Sequence, residues 1–168
     1  MKTLDQKFMA VALEEARRAM EAGEVPVGAV MVYGGEVIAQ AHNRREGFQD
    51  PTAHAEMLAL REAAQKFGRW RLTGATMYVT LEPCAMCAGA MVLARLDRLV
   101  YGCDDPKAGA CGSIFDIIRE PGLNHRVEVV SGVFEKESQS LLKDFFKDRR
   151  EGITRVVIYP DRASERKN

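Results

Sequence analysis

His54 and Glu56 stand two positions apart, and Cys84 and Cys87 form a Cys-x-x-Cys pair directly after Pro83. One imidazole and two thiolates are three ligands for an ion such as zinc, which takes four. Structural zinc sites fill all four places with protein atoms, whereas catalytic sites leave one for water. A set of three therefore predicts an open, reactive metal. Cys103 and Cys111 have no partner at ligand spacing and read as buried, inert thiols.

Glu56 falls outside that set. Positions i and i+2 do not share a helix face, so it is poorly placed to chelate beside His54 and better placed to reach the open side of the ion. Two thiolates and a neutral imidazole bring zinc close to electrical neutrality, and zinc lowers the pKa of bound water to about 7. The expected chemistry uses the zinc-bound water as nucleophile and Glu56 as proton shuttle. Glu56 takes that proton, delivers it to a ring nitrogen and later protonates the departing amine, which is hydrolytic deamination. A Cys-x-x-Cys pair alone also fits a redox site or a structural zinc knot. The first leaves His54 and Glu56 unexplained, and the second lacks a fourth ligand at ligand spacing.

The elements must bring these residues together. Apolar positions Phe8, Val11, Ala12, Ala16, Ala19 and Met20 recur at helical spacing over 5–22, and Gly23 ends that helix. Apolar runs over 27–32 and 37–41, joined at Tyr33-Gly34-Gly35-Glu36, predict a hairpin. Residues 43–50 are polar and loop-like. A helix capped by Thr52 is expected to run to about Phe67, and a second to open at Pro83 and span 84–94. Strands are expected over 76–81, 98–101 and 127–130, a long irregular segment over 102–126, and a helix over 134–150. Residues 153–159 have strand-like composition, and 160–168 are polar. The alternation of strands and helices after the hairpin implies an α/β fold, a mixed sheet covered by helices on both faces.

With 168 residues, 46% hydrophobic and 29% charged, the chain suits a single globular domain with a real core. A formal net charge of zero means that a nucleic-acid partner needs a local basic patch. No apolar run reaches membrane-spanning length, and the N-terminus lacks the apolar stretch of a signal peptide. The four cysteines do not read as a disulfide framework. A cytoplasmic home is expected.

The pattern His-x-Glu followed by Pro-Cys-x-x-Cys is the signature of zinc deaminases. The chain resembles the cytidine-deaminase-like zinc deaminases, and among them most closely the bacterial adenosine deaminases acting on tRNA. The resemblance rests on Glu24-Val25-Pro26-Val27-Gly28-Ala29, Asn43-Arg44, the run from Asp50 to Glu56 and that from Tyr78 to Met91. It continues through Gly109 to Ser113, Asn124 to Glu128, and Asp144 to Arg150. It implies a three-layer α/β/α fold with a central mixed five-stranded sheet over residues 1–152, with 153–168 a C-terminal extension of unassigned structure. It implies one Zn2+ per chain, a homodimer, and conversion of the wobble adenosine of tRNA to inosine, with the anticodon stem-loop of an arginine tRNA as partner. Asn43 and Ala55 would contact the flipped base. Arg44, Asp105, Lys107, His125, Phe145, Arg149 and Arg150 would lie near RNA. Phe145 also continues the Leu141 and Leu142 stripe, so core packing competes with stacking there. The alternatives are a small-molecule nucleobase deaminase (guanine or cytosine) of the same fold, or a zinc-stabilised scaffold without catalysis. The basic last helix argues against the first and Glu56 against the second.

Overall fold

The computed structural model describes residues 1–153; all but the first residue of the expected strand over 153–159 lies outside the described residues. In chain order the elements are α1 (Leu4–Glu21), β1 (Gly28–Tyr33), β2 (Glu36–His42), α2 (Arg45–Phe48), α3 (Ala55–Phe67), β3 (Thr76–Leu81), α4 (Ala85–Leu93), β4 (Arg98–Cys103), β5 (Glu128–Val130) and α5 (Glu135–Arg150). The five strands form one sheet in the order β2-β1-β3-β4-β5. β1 pairs antiparallel with β2 and β3, and the β3–β4 and β4–β5 pairs are parallel. The mixed three-layer α/β/α architecture is as the sequence predicts.

Alternation along the strands divides the core. Ala29 and Met31 of β1, Met77 and Val79 of β3, and Leu99 and Tyr101 of β4 pack with residues of α3 and α4. Val30, Val32, Tyr78 and Val100 face the other way, against Phe8, Met9 and Ala12 of α1. Because the middle strands are covered on both sides, they are largely apolar, with Thr80 the buried polar exception. α1 lies so close to β1 that a Cβ at Gly28 would overlap its backbone. That helix opens with a capping box: Thr3 Oγ1 accepts from the Gln6 amide, and Gln6 Oε1 accepts from the Thr3 amide.

Two helix starts differ from expectation. Thr52 does not cap α3; its hydroxyl donates to Asp50 Oδ1 at 2.7 Å, and His54 occupies the N-cap. Pro83 likewise precedes the cap of α4, which is Cys84. The polar stretch 43–50 contains the short helix α2.

Asp5 ties α1 to the sheet. Its carboxylate accepts two hydrogen bonds from Arg98, at 2.8 and 2.9 Å, and one from the Tyr78 hydroxyl at 2.9 Å. The Arg98 guanidinium holds the Asp5 carboxyl below the usual carboxylate range. Asp5→Ala should cost about 1–3 kcal/mol in urea unfolding at neutral pH. A lowered acid pKa gives stability that is lost as pH falls below the ordinary value of 3.8, so the deficit should shrink in acid.

Candidate active site

The starts of α3 and α4 face one another. Residues at an N-cap have extended backbone and side chains that turn back across the helix end. His54 has φ −73° and ψ 150°, and Cys84 φ −74° and ψ 176°. Cys87 follows within the first turn of α4, fully buried. Among the described residues these three form the one group of side chains arranged to hold a metal ion.

Their spacing fits zinc. An ion about 2.0–2.1 Å from an imidazole nitrogen and about 2.3 Å from a thiolate, in tetrahedral geometry, sets nitrogen and sulfur about 3.5–3.6 Å apart. His54 Nδ1 lies 3.6 Å from Cys84 Sγ and 3.6 Å from Cys87 Sγ. Hydrogen bonding from the Cys87 thiol, with the nearby imidazole, lowers the Cys84 pKa to about 3. The same bond and burial push the Cys87 thiol far up.

Glu56, one residue into α3, is only 4% exposed and does not join the ligand group. Burial raises its carboxyl from 4.5 to about 7, so it can hold and release a proton near neutrality. Cys103 and Cys111 are buried, and burial pushes both thiols up, Cys103 to about 11.

A cavity of about 200 Å³ opens beside these groups. Drug-sized ligands occupy about 300–1,000 Å³, so this volume suits a single base. Val25, Val27 and Leu81 give it apolar surface; Asn43, Arg45, His54, Ala55, Glu56, Glu82, Cys84, Asp105 and Ala108 complete it. Asn43 is buried, its Oδ1 accepting from the Arg45 amide at 3.3 Å and its Nδ2 reaching the Val25 carbonyl at 3.4 Å.

Two buried carboxylates hold the walls. Glu24 accepts from the amides of Glu46 and Gly47 at 3.2 and 2.7 Å, fixing α2 and with it Arg45. Glu82 does the same for the segment 105–113. Burial pushes the Glu82 carboxyl up, but its hydrogen bonds outweigh that and leave it below the ordinary range. Arg45, Glu24 and Glu82 had no role assigned from sequence. The available signal was acidity in apolar surroundings, most clearly Glu82 directly after a strand of apolar residues.

The expected RNA residues divide. Lys107, Arg149 and Arg150 line one groove of about 490 Å³ with Leu142, Lys143 and Phe146, and Asp105 lies in the adjoining pocket wall. Arg44 points elsewhere: its guanidinium lies 4.4 Å from the Phe48 ring centroid in a different surface depression, and Arg45 takes the pocket position. His125 Nε2 is 2.6 Å from the Leu96 carbonyl and lines neither pocket nor groove. Phe145 is 6% exposed, so its ring is packed and leaves little face for a base. Its neighbour Phe146, 44% exposed and edge-on to it, presents the aromatic surface.

A sheet that brings together three side chains able to hold a metal ion, a buried carboxylate and a base-sized pocket has the parts of a deaminase-type site. The family model described as MafB19-like deaminase matches residues 4–150, and the chain belongs to that family. It is similar to a tRNA-specific adenosine deaminase of Bacillus subtilis, 53% identical over 88% of this chain and 92% of that one. A protein of the same description from Aquifex aeolicus is 50% identical over 87% of this chain and 96% of its own. A structure from biochemical and structural studies of A-to-I editing by tRNA:A34 deaminases has a TM-score of 0.79 and 49% identity, covering 81% of this chain and 99% of the other. A guanine deaminase from Nitrosomonas europaea has a TM-score of 0.71 and 27% identity, covering 83% of each chain.

The buried Glu56 makes metal-free stability depend on pH. A carboxyl that binds its proton more tightly folded than unfolded costs stability as pH rises from 4.5 to about 7. In metal-free protein, Glu56→Gln should therefore gain stability over the wild type across that interval, by up to about 3 kcal/mol. Unfolding at pH 5 and 8 measures it; an equal difference at both would remove burial as the cause.

Proposed function

We propose that the chain deaminates adenosine to inosine at the wobble position of tRNA, releasing ammonia. The observation that carries this is the pairing of a base-sized pocket at Glu56 with a basic, aromatic groove beside it. A base inside a folded RNA must leave its stack to reach such a pocket. Support comes also from the relatives described as tRNA-specific adenosine deaminases, near 50% identity. The guanine-deaminase reading has the fold in its favour, but a free base has no use for Lys107, Lys143, Arg149 and Arg150 along one groove.

His54, Cys84 and Cys87 would hold one Zn2+, which when bound supplies an activated water. The chain's own groups do the rest. Asn43, with Ala55, lines the pocket where the base would sit and orients it. Glu56, protonating near neutrality, moves one proton of the attacking water to the ring nitrogen, then carries the second, from the hydroxyl that the water leaves on the carbon, to the amine as the C–N bond breaks and ammonia departs. The apolar walls at Val25, Val27 and Leu81 exclude bulk water. A backbone phosphate path would run over Lys107, Arg149 and Arg150, and a base could rest on Phe146.

The resemblance in sequence points to the anticodon stem-loop of an arginine tRNA and to a homodimer. Trp70 and Leu93, 59% and 71% exposed, flank an apolar depression with Met57 and Leu60 on the outer side of α3 and α4. A second copy would cover it. All four cysteines are free, as suits a reducing cytoplasm. Among the described residues no helix is long and apolar enough to cross a membrane.

Purified protein should carry one zinc per chain, and Cys87→Ala should lose it in metal analysis. Glu56→Ala should keep zinc and lose inosine formation by at least about 10²–10⁴-fold. A zinc-loaded, fully active Glu56→Ala protein would overturn the proton-shuttle role. Arg149→Ala with Arg150→Ala should weaken tRNA binding and lower the salt slope by about one unit per lost phosphate contact. Single-turnover rates at saturating RNA should change little.

A further inference from the structure

We propose that Glu82 is a positioning residue that makes the pocket wall and the basic groove one rigid unit. The inference rests on the tRNA-deaminase reading. Glu82 is 2% exposed, and both of its oxygens are engaged by a single segment of chain. Oε2 accepts from the Asp105 amide at 2.9 Å and from the Ser113 hydroxyl. Oε1 accepts from the amides of Cys111 and Ser113, each at 3.0 Å. The carboxylate therefore clamps both ends of the 105–113 loop, which contributes only two residues, Gly109 and Cys111, to strand-like bridges and has no helix of its own.

What the clamp holds is divided between the two parts of the site. Asp105 and Ala108 line the pocket, and Lys107 lines the groove. Asp105 Oδ1 in turn accepts from the amides of Lys107 and Ala108, at 2.9 and 3.3 Å, so fixing Asp105 fixes Lys107. The other side of the clamp is firm. The Glu82 amide bonds the Cys103 carbonyl of β4 at 2.9 Å, and Glu82 lies two positions before Cys84. Gly109 shows how close the loop comes: a Cβ there would overlap the Glu82 carboxylate and lie 2.6 Å from the Asp105 carbonyl.

Every partner named here is a donor, so only a carboxylate suits this place. Glutamine has the same shape but would turn an NH2 toward an N–H, releasing one end of the loop. A merely structural Glu82 would lower stability and leave substrate affinity alone. The test uses zinc-loaded, full-length protein and an anticodon stem-loop RNA, well below the unfolding temperature, with Asp5→Ala as a destabilised control remote from the site.

Glu82→Gln is expected to keep its zinc and raise KM about tenfold or more, while Asp5→Ala leaves KM unchanged. Lys107→Ala should weaken RNA binding less in the Glu82→Gln background than in the wild type, because the lysine is no longer held in place. An unchanged KM in Glu82→Gln, or a Lys107 effect of equal size in both backgrounds, overturns the proposal. Should Glu82→Gln fail to fold, Ser113→Ala removes the hydroxyl contact alone. It should raise KM in the same direction, and an unchanged KM there overturns the proposal equally. Wild-type protein that makes no inosine in this RNA would instead refute the underlying functional reading.

Discussion

The first turns of α3 and α4 must present His54, Cys84 and Cys87 within bonding reach of one point, and most of the architecture can be understood from that requirement. Neither helix could hold its position alone. Each packs its inner face on the sheet, α3 through Ala55, Ala59 and Ala63 and α4 through Ala88, Met91 and Val92, all buried. The small residues of α3 let its axis come close to the strands, and the covered strands beneath leave little freedom to slide. Thiolates at a helix start also meet unpaired amide hydrogens and the positive end of the helix dipole, which favour their charge.

Electrostatics separates the site into two regimes. Around Glu56 burial raises a carboxyl to about 7. In the groove of Lys107, Lys143, Arg149 and Arg150 the charges face solvent and act over a distance that salt sets. The chain as a whole is neutral, so the groove is a local excess rather than part of a general polycation. Under the proposed function such a patch would steer RNA to one place.

The clustering of His54, Cys84 and Cys87 beside Glu56 was legible in the sequence because the chemistry limits the residue types and the spacing is short. The sheet was legible because its strands are bounded by turns and its helices by glycines. What escaped was decided by contacts between distant segments. Glu24 and Glu82 bond to amides about twenty to thirty positions away, and no periodicity encodes that. Arg44 and Arg45 are adjacent and chemically identical, so only the backbone turn into α2 decides which enters the pocket. Phe145 and Phe146 pose the same problem on α5, where about 100° of rotation per residue separates a packed ring from an exposed one. The helix starts at His54 and Cys84 were misplaced by a residue or more because ordinary capping preferences favour Thr52 and a proline in the first turn. At both places a residue of the His/Cys/Cys cluster took the cap.

Glu24 and Glu82 have a consequence for how such a protein can change over generations. The reactive centre is mounted on the sheet through helices, while the surfaces that face the substrate hang on α2 and on the 105–113 segment. Each of those is anchored in part by one buried carboxylate bonding to backbone amides, and backbone amides are present whatever the side chains are. Apart from Gly109, which leaves room for the carboxylate, and Ser113, whose hydroxyl joins the anchor, residues along either wall can be exchanged while the anchoring pattern stays as it is. Substrate preference is thus a replaceable module on a fixed reactor, and one scaffold can diversify toward new bases by drift in two short stretches.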